Sequence, residues 1–238
     1  MELKKFYQAD PHRYDREASL YARCGKSGVL LPRVSLGFWH NFGGIDPYER
    51  SRAITHYAFD HGIAGAEMTV ETDAGIVPGW RVEENIYRVK LNNPGVMDLR
   101  RRPDAAYVEL GDPGVPHGVV EVPNLTFDMR EDLRQRAKAL RYDPAFPKGA
   151  NINFYTWLGQ DRVRVLTYER GVEDYTLACG TGCGSVTSTL FSQGKLPEGK
   201  LTCENQGGIL QVSVRAEDCA ITEILLQGPA EILKIYEL

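Results

Sequence analysis

The chain has 238 residues, of which 42% are hydrophobic, enough for one large domain or two small ones with a packed core. Its 28 basic and 32 acidic residues give a formal net charge of -4, which argues against nucleic acid or a membrane surface as partner and favours a small molecule. Because the first residues lack the apolar core of a signal peptide and no run approaches the roughly 20 apolar residues of a membrane span, we expect a cytoplasmic protein.

Cysteine usage argues against two kinds of cross-link. Five cysteines stand at positions 24, 179, 183, 203 and 219, without a Cys-x-x-Cys pair, and an odd number does not suit a disulfide framework. The spacing of Cys179 and Cys183 suits one helix face, but no histidine or second cysteine pair lies nearby in sequence to complete four zinc ligands. We therefore predict neither structural disulfides nor a metal site.

The first sixty residues contain signals for a hairpin, a strand and a helix. Two short strand candidates flank the turn Gly25–Gly28, and a buried strand is predicted over Val34–Trp39. Asp46 as N-cap, followed by proline and by Glu49, predicts a helix over residues 47–61.

Three stretches in this region resemble the opening of an aldo-keto reductase. They are residues 23–32 (Arg-Cys-Gly-Lys-Ser-Gly-Val-Leu-Leu-Pro), 34–43 (Val-Ser-Leu-Gly-Phe-Trp-His-Asn-Phe-Gly) and 51–63. The resemblance ends at about Ala64, before the catalytic Asp and Tyr of that family, so it implies no reductase chemistry. A complete (β/α)₈ barrel needs about 250 residues, and residues 1–64 therefore form at most a hairpin and one βα unit.

From Met68 onward the pattern is rich in β-strands with apolar residues near period two. Met68–Val77 and Trp80–Leu91 are predicted as antiparallel strands, and Asp98–Asp104 as a charged link whose Arg100–Arg102 favour a solvated loop over an anion-binding patch. Further strands are predicted at Ala105–Leu110, Gly118–Val122, Asn151–Leu158, Asp161–Tyr168, Lys200–Glu204, Ile209–Val214, Ala220–Gln227 and Ala230–Tyr236.

Two helices complete the predicted α+β protein. In the first, Asp128 is the expected cap and Glu131 its capping-box partner, with an apolar face made of Met129, Leu133, Ala137 and Leu140. The second follows Cys179 and includes Val186–Phe191.

Cys179 is the main candidate for chemistry, because it is predicted at a strand-to-helix turn. The backbone N–H groups of Gly180–Gly184 and the positive end of the helix would stabilise a thiolate or a bound carboxylate. A buried, inert cysteine beside a glycine turn is the alternative, and spacing alone leaves both readings open.

From about Gly65, four motifs resemble the C-terminal part of diaminopimelate epimerase, an amino-acid epimerase that uses no cofactor. They are Thr69–Gly75 (Thr-Val-Glu-Thr-Asp-Ala-Gly), Pro116-His117, Phe146–Phe154 (Phe-Pro-Lys-Gly-Ala-Asn-Ile-Asn-Phe) and Glu169–Gly182 (Glu-Arg-Gly-Val-Glu-Asp-Tyr-Thr-Leu-Ala-Cys-Gly-Thr-Gly). The resemblance implies lobes of mainly antiparallel strands, each curled around a central helix, with substrate in the cleft between them. It divides this chain into a reductase-like fragment, 1–64, and an epimerase-like region, 65–238.

The resemblance also implies a proton-transfer mechanism at Cα. Two cysteines, one from each lobe, act from opposite faces as thiolate base and thiol acid, and Cys179 matches one of them. Without pyridoxal phosphate, hydrogen bonds to the substrate carboxylate must stabilise the carbanion, and the backbone groups of Gly180 and Thr181 match those donors.

Four further residues match the substrate site of that family. Glu169 and Arg170 would bind the distal ammonium and carboxylate, with an exposed ion pair at a strand end as the alternative. Asn151 matches a substrate-binding asparagine, although this position also suits a turn residue. His117 matches a histidine next to the cysteines, and a structural histidine is the alternative.

Two departures from the family pattern shape the functional hypothesis. Val115 stands where the family has asparagine, and no Cys-Gly-Asn-Gly motif precedes Thr69 in this sequence. The only upstream cysteine, Cys24, belongs to the reductase-like stretch, so the N-terminal lobe reads as incomplete or replaced. We therefore expect an impaired epimerase of lysine and diaminopimelate biosynthesis that acts on an amino acid. A non-catalytic binding or subunit-pairing module, an isomerase for another substrate, and a homodimer remain open.

Overall fold

The computed structural model describes residues 21–23, 30–32, 67–72 and 75–229. The chain forms two compact units, Met1–Phe38 and Trp39–Leu238. In the first unit, β1 (Tyr21–Arg23) and β2 (Leu30–Pro32) pair antiparallel, which confirms the predicted hairpin. The strand predicted over 34–39, the helix over 47–61 and the strand over 230–236 lie outside the described residues. The boundary at residues 64 and 65 stays a prediction.

The described part of the second unit contains a twelve-stranded sheet. Its strands are β3 (Glu67–Thr72), β4 (Gly75–Glu83), β5 (Ile86–Leu91), β6 (Pro94–Arg102), β7 (Ala105–Gly111), β8 (Gly114–Glu121), β9 (Asn151–Gly159), β10 (Arg162–Glu169), β11 (Asp174–Tyr175), β12 (Lys200–Asn205), β13 (Gly208–Glu217) and β14 (Ala220–Pro229). Their order is β3-β4-β5-β14-β13-β12-β10-β9-β8-β7-β6, and β11 pairs with β10.

The sheet is mixed, and most of its strand pairs are antiparallel, as the sequence predicted. β8 pairs with β9, and β10 with β12, in parallel, and the remaining pairs are antiparallel. The chain between the two strands of each parallel pair contains a helix: α1 (Arg130–Arg141) precedes β9, and α2 (Gly180–Ser192) precedes β12. A helical crossover gives the chain the length it needs to return in the same direction.

The apolar face of α1 is confirmed but its capping box is not. Leu133, Ala137 and Leu140 are buried, as their helical spacing predicted. Asp128 lies in a 3₁₀ turn, Phe127–Met129, and Met129 is the residue at the helix N-cap, without a side-chain hydrogen bond. Because a 3₁₀ turn continues directly into the helix, the cap position moves past the aspartate.

Several strand boundaries also differ from the prediction. Met68–Val77 includes parts of both β3 and β4, and Trp80–Leu91 includes parts of β4 and β5. The turn between β4 and β5 contains Asn85 at φ 61°, a conformation that asparagine adopts without glycine or proline nearby to signal it.

The link predicted over Asp98–Asp104 is wrong, because Asp98–Arg102 belong to β6. Arg101 pairs with Asp98 at 3.6 Å, and Arg102 pairs with Asp104 at 3.0 Å. A carboxylate of β6 and one of the turn that follows it therefore hold these two arginines.

Two hydrophobic clusters lie on opposite sides of strands β7 to β10. Successive side chains of a strand point to opposite faces, and here both are buried. Val108 belongs to the first cluster, with Val186 and Leu190 of α2, and Tyr107 to the second, with Leu133 and the rest of the α1 face. α2 contacts β7, β8 and β9 as well as β12, β13 and β14. In the described part of the chain, neither helix combines the length and the apolar character needed to span a membrane.

Candidate active site

Cys179 lies between a strand and a helix, as the sequence predicted. It is the N-cap of α2, with extended backbone (φ -128°, ψ 109°), and its Sγ accepts a hydrogen bond from the backbone N–H of Gly182 at 3.4 Å. The hydroxyl of Thr181 lies 3.5 Å from the same sulfur. The sulfur therefore takes the place of the oxygen that usually caps a helix, and it faces the positive end of the helix.

The thiol of Cys179 is protonated at neutral pH in this arrangement. Burial raises its pKa well above the ordinary value, and the negative charge of Glu169 raises the pKa further. The bonds from Thr181 and Gly182 act in the opposite direction but do not outweigh burial. The site thus holds a proton on the sulfur, as a thiol that acts as an acid requires.

Glu169 ends β10 close to this thiol. Its carboxylate accepts a hydrogen bond from the hydroxyl of Thr176 at 2.8 Å. The short strand β11 returns beside β10, and the Thr176 N–H donates to the carbonyl of Thr167 at 3.1 Å. This return positions Glu169 so that its charge acts on Cys179.

Asn151 and Arg170 are joined by the protein itself. Asn151, which is 7% exposed, accepts a 2.7 Å hydrogen bond from the backbone N–H of Arg170 through Oδ1. The Arg170 guanidinium is exposed and donates to the carbonyl of Lys148 at 3.1 Å. Asn151 is the first residue of β9, and its bond to Arg170 holds the chain just after β10. Its side-chain oxygen is therefore already occupied by a protein hydrogen bond.

His117 lies inside β8 rather than before a strand, and its ring is fully buried. The amide nitrogen of Asn153 lies 3.1 Å from its Nδ1, while Nε2 has no partner among the described residues. Burial and the positive charge of Arg170 lower the pKa of His117 to about 3, so the ring is neutral. Arg170 therefore acts on His117 through its charge and is also hydrogen-bonded to Asn151.

Two residues that sequence reasoning missed connect these groups. Asn153 of β9 is fully buried and donates to the carbonyl of Gly118 at 3.0 Å, and Thr167 of β10 donates to its Oδ1 at 3.0 Å. A signal was available, because Asn151 and Asn153 are two apart and share a face of the strand. What the sequence did not reveal is which side chains from other strands meet Asn153.

Most of this chain is similar in sequence to proteins of one family. The family model for diaminopimelate epimerase matches residues 111–233. A diaminopimelate epimerase from a Nitratiruptor species is 36% identical over 173 residues, 70% of this chain and 65% of that protein. One from Methanocella arvoryzae is 34% identical, covering 78% of this chain and 68% of that protein. The chain belongs to the diaminopimelate epimerase family.

This member of the diaminopimelate epimerase family spans about two thirds of the length of its relatives. A third relative, from Aquifex aeolicus, is 32% identical over 79% of this chain and 66% of its own length. Solved structures agree on the fold. They include a probable proline racemase from Agrobacterium radiobacter K84 (TM-score 0.59, 18% identity, 79% of this chain and 66% of that one) and a hydroxyproline epimerase from Agrobacterium vitis (0.56, 18%, 76% and 63%).

A buried carboxylate adjoins the site of this diaminopimelate epimerase relative and was also missed. Glu109 of β7 is 5% exposed and accepts hydrogen bonds from Lys148 Nζ and the Tyr107 hydroxyl, each at 2.6 Å. Burial raises the pKa of Glu109, but these two bonds together with the positive charges of Lys148 and Arg101 leave the pKa below its usual value. Lys148 thereby connects Glu109 to Arg170, which donates to the Lys148 carbonyl.

Val115 is 39% exposed, at the start of β8, and Cys24 lies outside the described residues. Within the residues that the structure describes, no three histidine, cysteine, aspartate or glutamate side chains are grouped so as to hold a metal ion.

Proposed function

We propose that this chain is an amino-acid epimerase of the diaminopimelate type that uses no cofactor, and that Cys179 is its thiol acid. The observation that supports this most is the position of Cys179 as the N-cap of α2, where its sulfur accepts a hydrogen bond from the Gly182 N–H at 3.4 Å. A helix N-terminus also attracts an anion, so a substrate carboxylate and the reactive sulfur would meet at the same place.

In the proposed reaction, the substrate loses one proton from Cα and gains one proton at Cα. A base on one face removes the Cα proton, and Cys179 delivers its own proton to the other face, which inverts the centre with no net proton change. The backbone N–H groups of Gly180 and Thr181 are the proposed donors to the substrate carboxylate, which takes up the carbanion charge. The N–H of Gly182 is already occupied by the sulfur.

The structure favours a role for Glu169 at the thiol. Its negative charge stabilises the protonated form of Cys179, an effect that falls off with distance, so we place Glu169 beside the reacting centre rather than at the distal ammonium. Arg170, with an exposed guanidinium, remains the proposed partner of a distal carboxylate of the substrate. Asn151 is proposed to hold Arg170 in place. His117 is proposed to donate a hydrogen bond to the substrate through Nε2.

The described strands and α2 would supply one of the two lobes of such a site. We propose that the sheet curls around α2, because this helix contacts strands from both ends of the strand order β7 to β14. The partner thiol of the family would come from an N-terminal lobe, and residues upstream of Thr69 contain no Cys-Gly-Asn-Gly motif. Inversion by this chain is therefore expected to be weak or absent.

The test is incubation with diaminopimelate in deuterium oxide, with solvent label at Cα and inversion followed separately. We expect slow exchange and little inversion, and Cys179→Ala should lower the exchange rate about 100-fold or more, the usual contribution of a positioned acid or base. Cys219→Ala is the matched control, because Cys219 is an exposed cysteine in the turn between β13 and β14.

Rapid inversion with solvent label would sink the claim of impairment. Loss of that inversion in Cys24→Ala would then identify Cys24 as the second thiol. Exchange that is equal in Cys179→Ala and the wild type would remove Cys179 from the mechanism.

A second candidate function is a non-catalytic module that binds a small anion or amino acid, or pairs with another subunit, in the cytoplasm. The missing second thiol motif favours it. Calorimetric binding of diaminopimelate without exchange, unchanged in Cys179→Ala, would support this module over the epimerase. Sedimentation would show whether two chains pair as a homodimer.

Val115 favours a third candidate, an isomerase for a different substrate. It stands in place of the family's asparagine and presents an apolar, partly exposed side chain two residues before His117. A substrate panel that includes proline and hydroxyproline decides between this candidate and diaminopimelate.

A further inference from the structure

Three neighbouring strands contribute one buried polar side chain each to a continuous chain of hydrogen bonds. They are His117 of β8, Asn153 of β9 and Thr167 of β10, exposed by 0%, 0% and 2%. Leaving a buried polar group unpaired costs about 1–3 kcal/mol, so the hydrogen bonds between these side chains favour one arrangement of donors and acceptors.

The orientation of the Asn153 amide follows from its two fixed neighbours. The Gly118 carbonyl can only accept, so the amide nitrogen must face it, at 3.0 Å. The amide oxygen then faces the hydroxyl of Thr167, which donates to it at 3.0 Å. A flipped amide would place oxygen against oxygen at Gly118.

This orientation decides which nitrogen of His117 carries the proton. The Asn153 amide nitrogen lies 3.1 Å from Nδ1 and 3.5 Å from the Asn151 carbonyl, so its second N–H donates to the nearer Nδ1, which accepts and is unprotonated. In a neutral imidazole the proton then resides on Nε2. Nε2 is buried and has no hydrogen-bond partner among the described residues, so the protein presents an N–H donor that it does not itself use.

Asn153 also contacts the turn that carries the thiol. A Cβ added at Gly182 would lie 2.3 Å from Asn153 Oδ1, 3.2 Å from Thr167 Oγ1 and 3.2 Å from Cys179 Cβ. The absence of a side chain at Gly182 thus lets Asn153 pack directly against the first turn of α2. Asn153 lies between the histidine and the cysteine turn.

We propose that Asn153 is a positioning residue: held by Thr167, it keeps His117 in the Nε2–H form, so that Nε2 donates a hydrogen bond to an anionic group of the ligand at the Cys179 turn. The ligand part of this statement rests on the proposed function. The tautomer part does not, because it follows from contacts within the protein alone.

The tautomer is measured directly by ¹⁵N NMR of the histidine-labelled protein without ligand. The chain has five histidines, and His117→Gln identifies the signals of His117. We expect an unprotonated-type shift at Nδ1 and a protonated-type shift at Nε2. The reverse pattern, or averaged shifts of two tautomers, would overturn the proposal without reference to activity.

Variants test whether Asn153 and Thr167 cause this state. Asn153→Asp offers only acceptor oxygens, so the His117 proton should move to Nδ1 or the ring should become doubly protonated, and kcat for exchange at Cα should fall about 100-fold with a smaller change in KM. Thr167→Val should mix the tautomers, and Thr167→Ser should restore the wild-type shifts. Asn205→Asp is the control, because this buried asparagine binds Cys183 and the Cys203 carbonyl instead.

The outcomes separate the two proposals. Unchanged His117 shifts in both Asn153→Asp and Thr167→Val would refute the positioning role, and if Asn153→Asp does not fold, the wild-type spectrum and the Thr167 pair decide. A wild-type protein that shows the expected tautomer but no exchange would refute the proposed function and leave the tautomer assignment standing.

Discussion

At the scale of single residues, Gly182 is a point of close contact between the thiol turn and the buried strands. The oxygen nearest to its absent side chain belongs to Asn153, which two hydrogen bonds hold in a fully buried position. A side chain that is fixed in this way does not yield, so a methyl group here displaces either Asn153 or the helix.

Gly182→Ala is therefore expected to lower the free energy of unfolding by about 1–3 kcal/mol, as overpacking does, despite the higher helix propensity of alanine. Urea unfolding measures the change. Gly159→Ala is the matched control, because the nearest atom to its added Cβ is Arg162 Cβ at 4.0 Å. A Gly182→Ala protein as stable as the control would contradict the close packing of the turn.

The sequence was sufficient to locate Cys179 but not its supporting residues. A cysteine followed by glycines before an apolar helix is a local pattern, and the thiol is indeed the helix N-cap. Asn153 and Thr167 gain their meaning from His117 and Gly182, which are distant in sequence. Only the strand pairing brings them together, and composition or periodicity does not specify that pairing.

At the scale of elements, the parallel pair β10 and β12 is bound by a charged cluster across the strands. Arg164 donates to one oxygen of Glu204 at 3.0 and 2.7 Å, and Arg162 donates to the other at 2.9 Å. The bond from Arg164 is the main reason that the pKa of Glu204 is lowered.

Glu204→Gln is expected to cost up to about 1 kcal/mol of unfolding free energy at pH 7, the upper range for ion pairs that water still reaches. A carboxyl whose pKa is lowered by folding stabilises the protein above its unfolded pKa of about 4.3, and this contribution disappears as pH falls through the lower folded value. The difference between variant and wild type should therefore vanish in acid, as urea titrations at several pH values would show.

Glu223→Gln provides the comparison for that titration. Its partner Arg215 is 79% exposed and lies 3.5 Å away across β13 and β14. We expect a loss smaller than for Glu204→Gln, and equal losses would show that the Arg164 cluster adds nothing beyond an ordinary surface pair.

Element prediction succeeded where periodicity was strong and failed where a turn carried no signal. The hairpin of β9 and β10 and the buried face of α1 follow from alternation and from helical spacing. The turn at Asn85 was not predicted, because an asparagine occupies the positive-φ position where a glycine would have signalled a turn. The charges of Asp98–Arg102 suggested a loop, yet pairing along the strand lets these residues continue β6.

At the scale of the whole molecule, strands β7 to β10 separate two hydrophobic clusters that share no buried side chain among the residues that the structure describes. Ile152 belongs to the cluster that includes the α1 face, and Ile224 to the cluster that includes α2, and both are fully buried. The sequence indicated strands with apolar residues, but it did not show which strands are covered on both faces.

The separation predicts additive effects on stability. Ile152→Val and Ile224→Val should each cost about 0.5–1.5 kcal/mol, and the double variant should match their sum within about 0.5 kcal/mol in urea unfolding. Ile152→Val with Phe146→Leu is the contrasting pair, because both side chains approach Gly118, and it should deviate from additivity. Strong coupling between Ile152 and Ile224 would mean that strain crosses the sheet.

The hydrogen-bond chain through β8, β9 and β10 also limits how the length of this sequence can vary among its descendants. Asn153 lies opposite Thr167 in β10 and beside Val119 in β8. Since neighbouring side chains of a strand face opposite ways, losing or gaining one residue in β9 ahead of Asn153 would turn its amide away from His117. Insertions and deletions therefore have to fall outside these strands, for example at the Gln160-Asp161 turn, where the register on both sides is preserved.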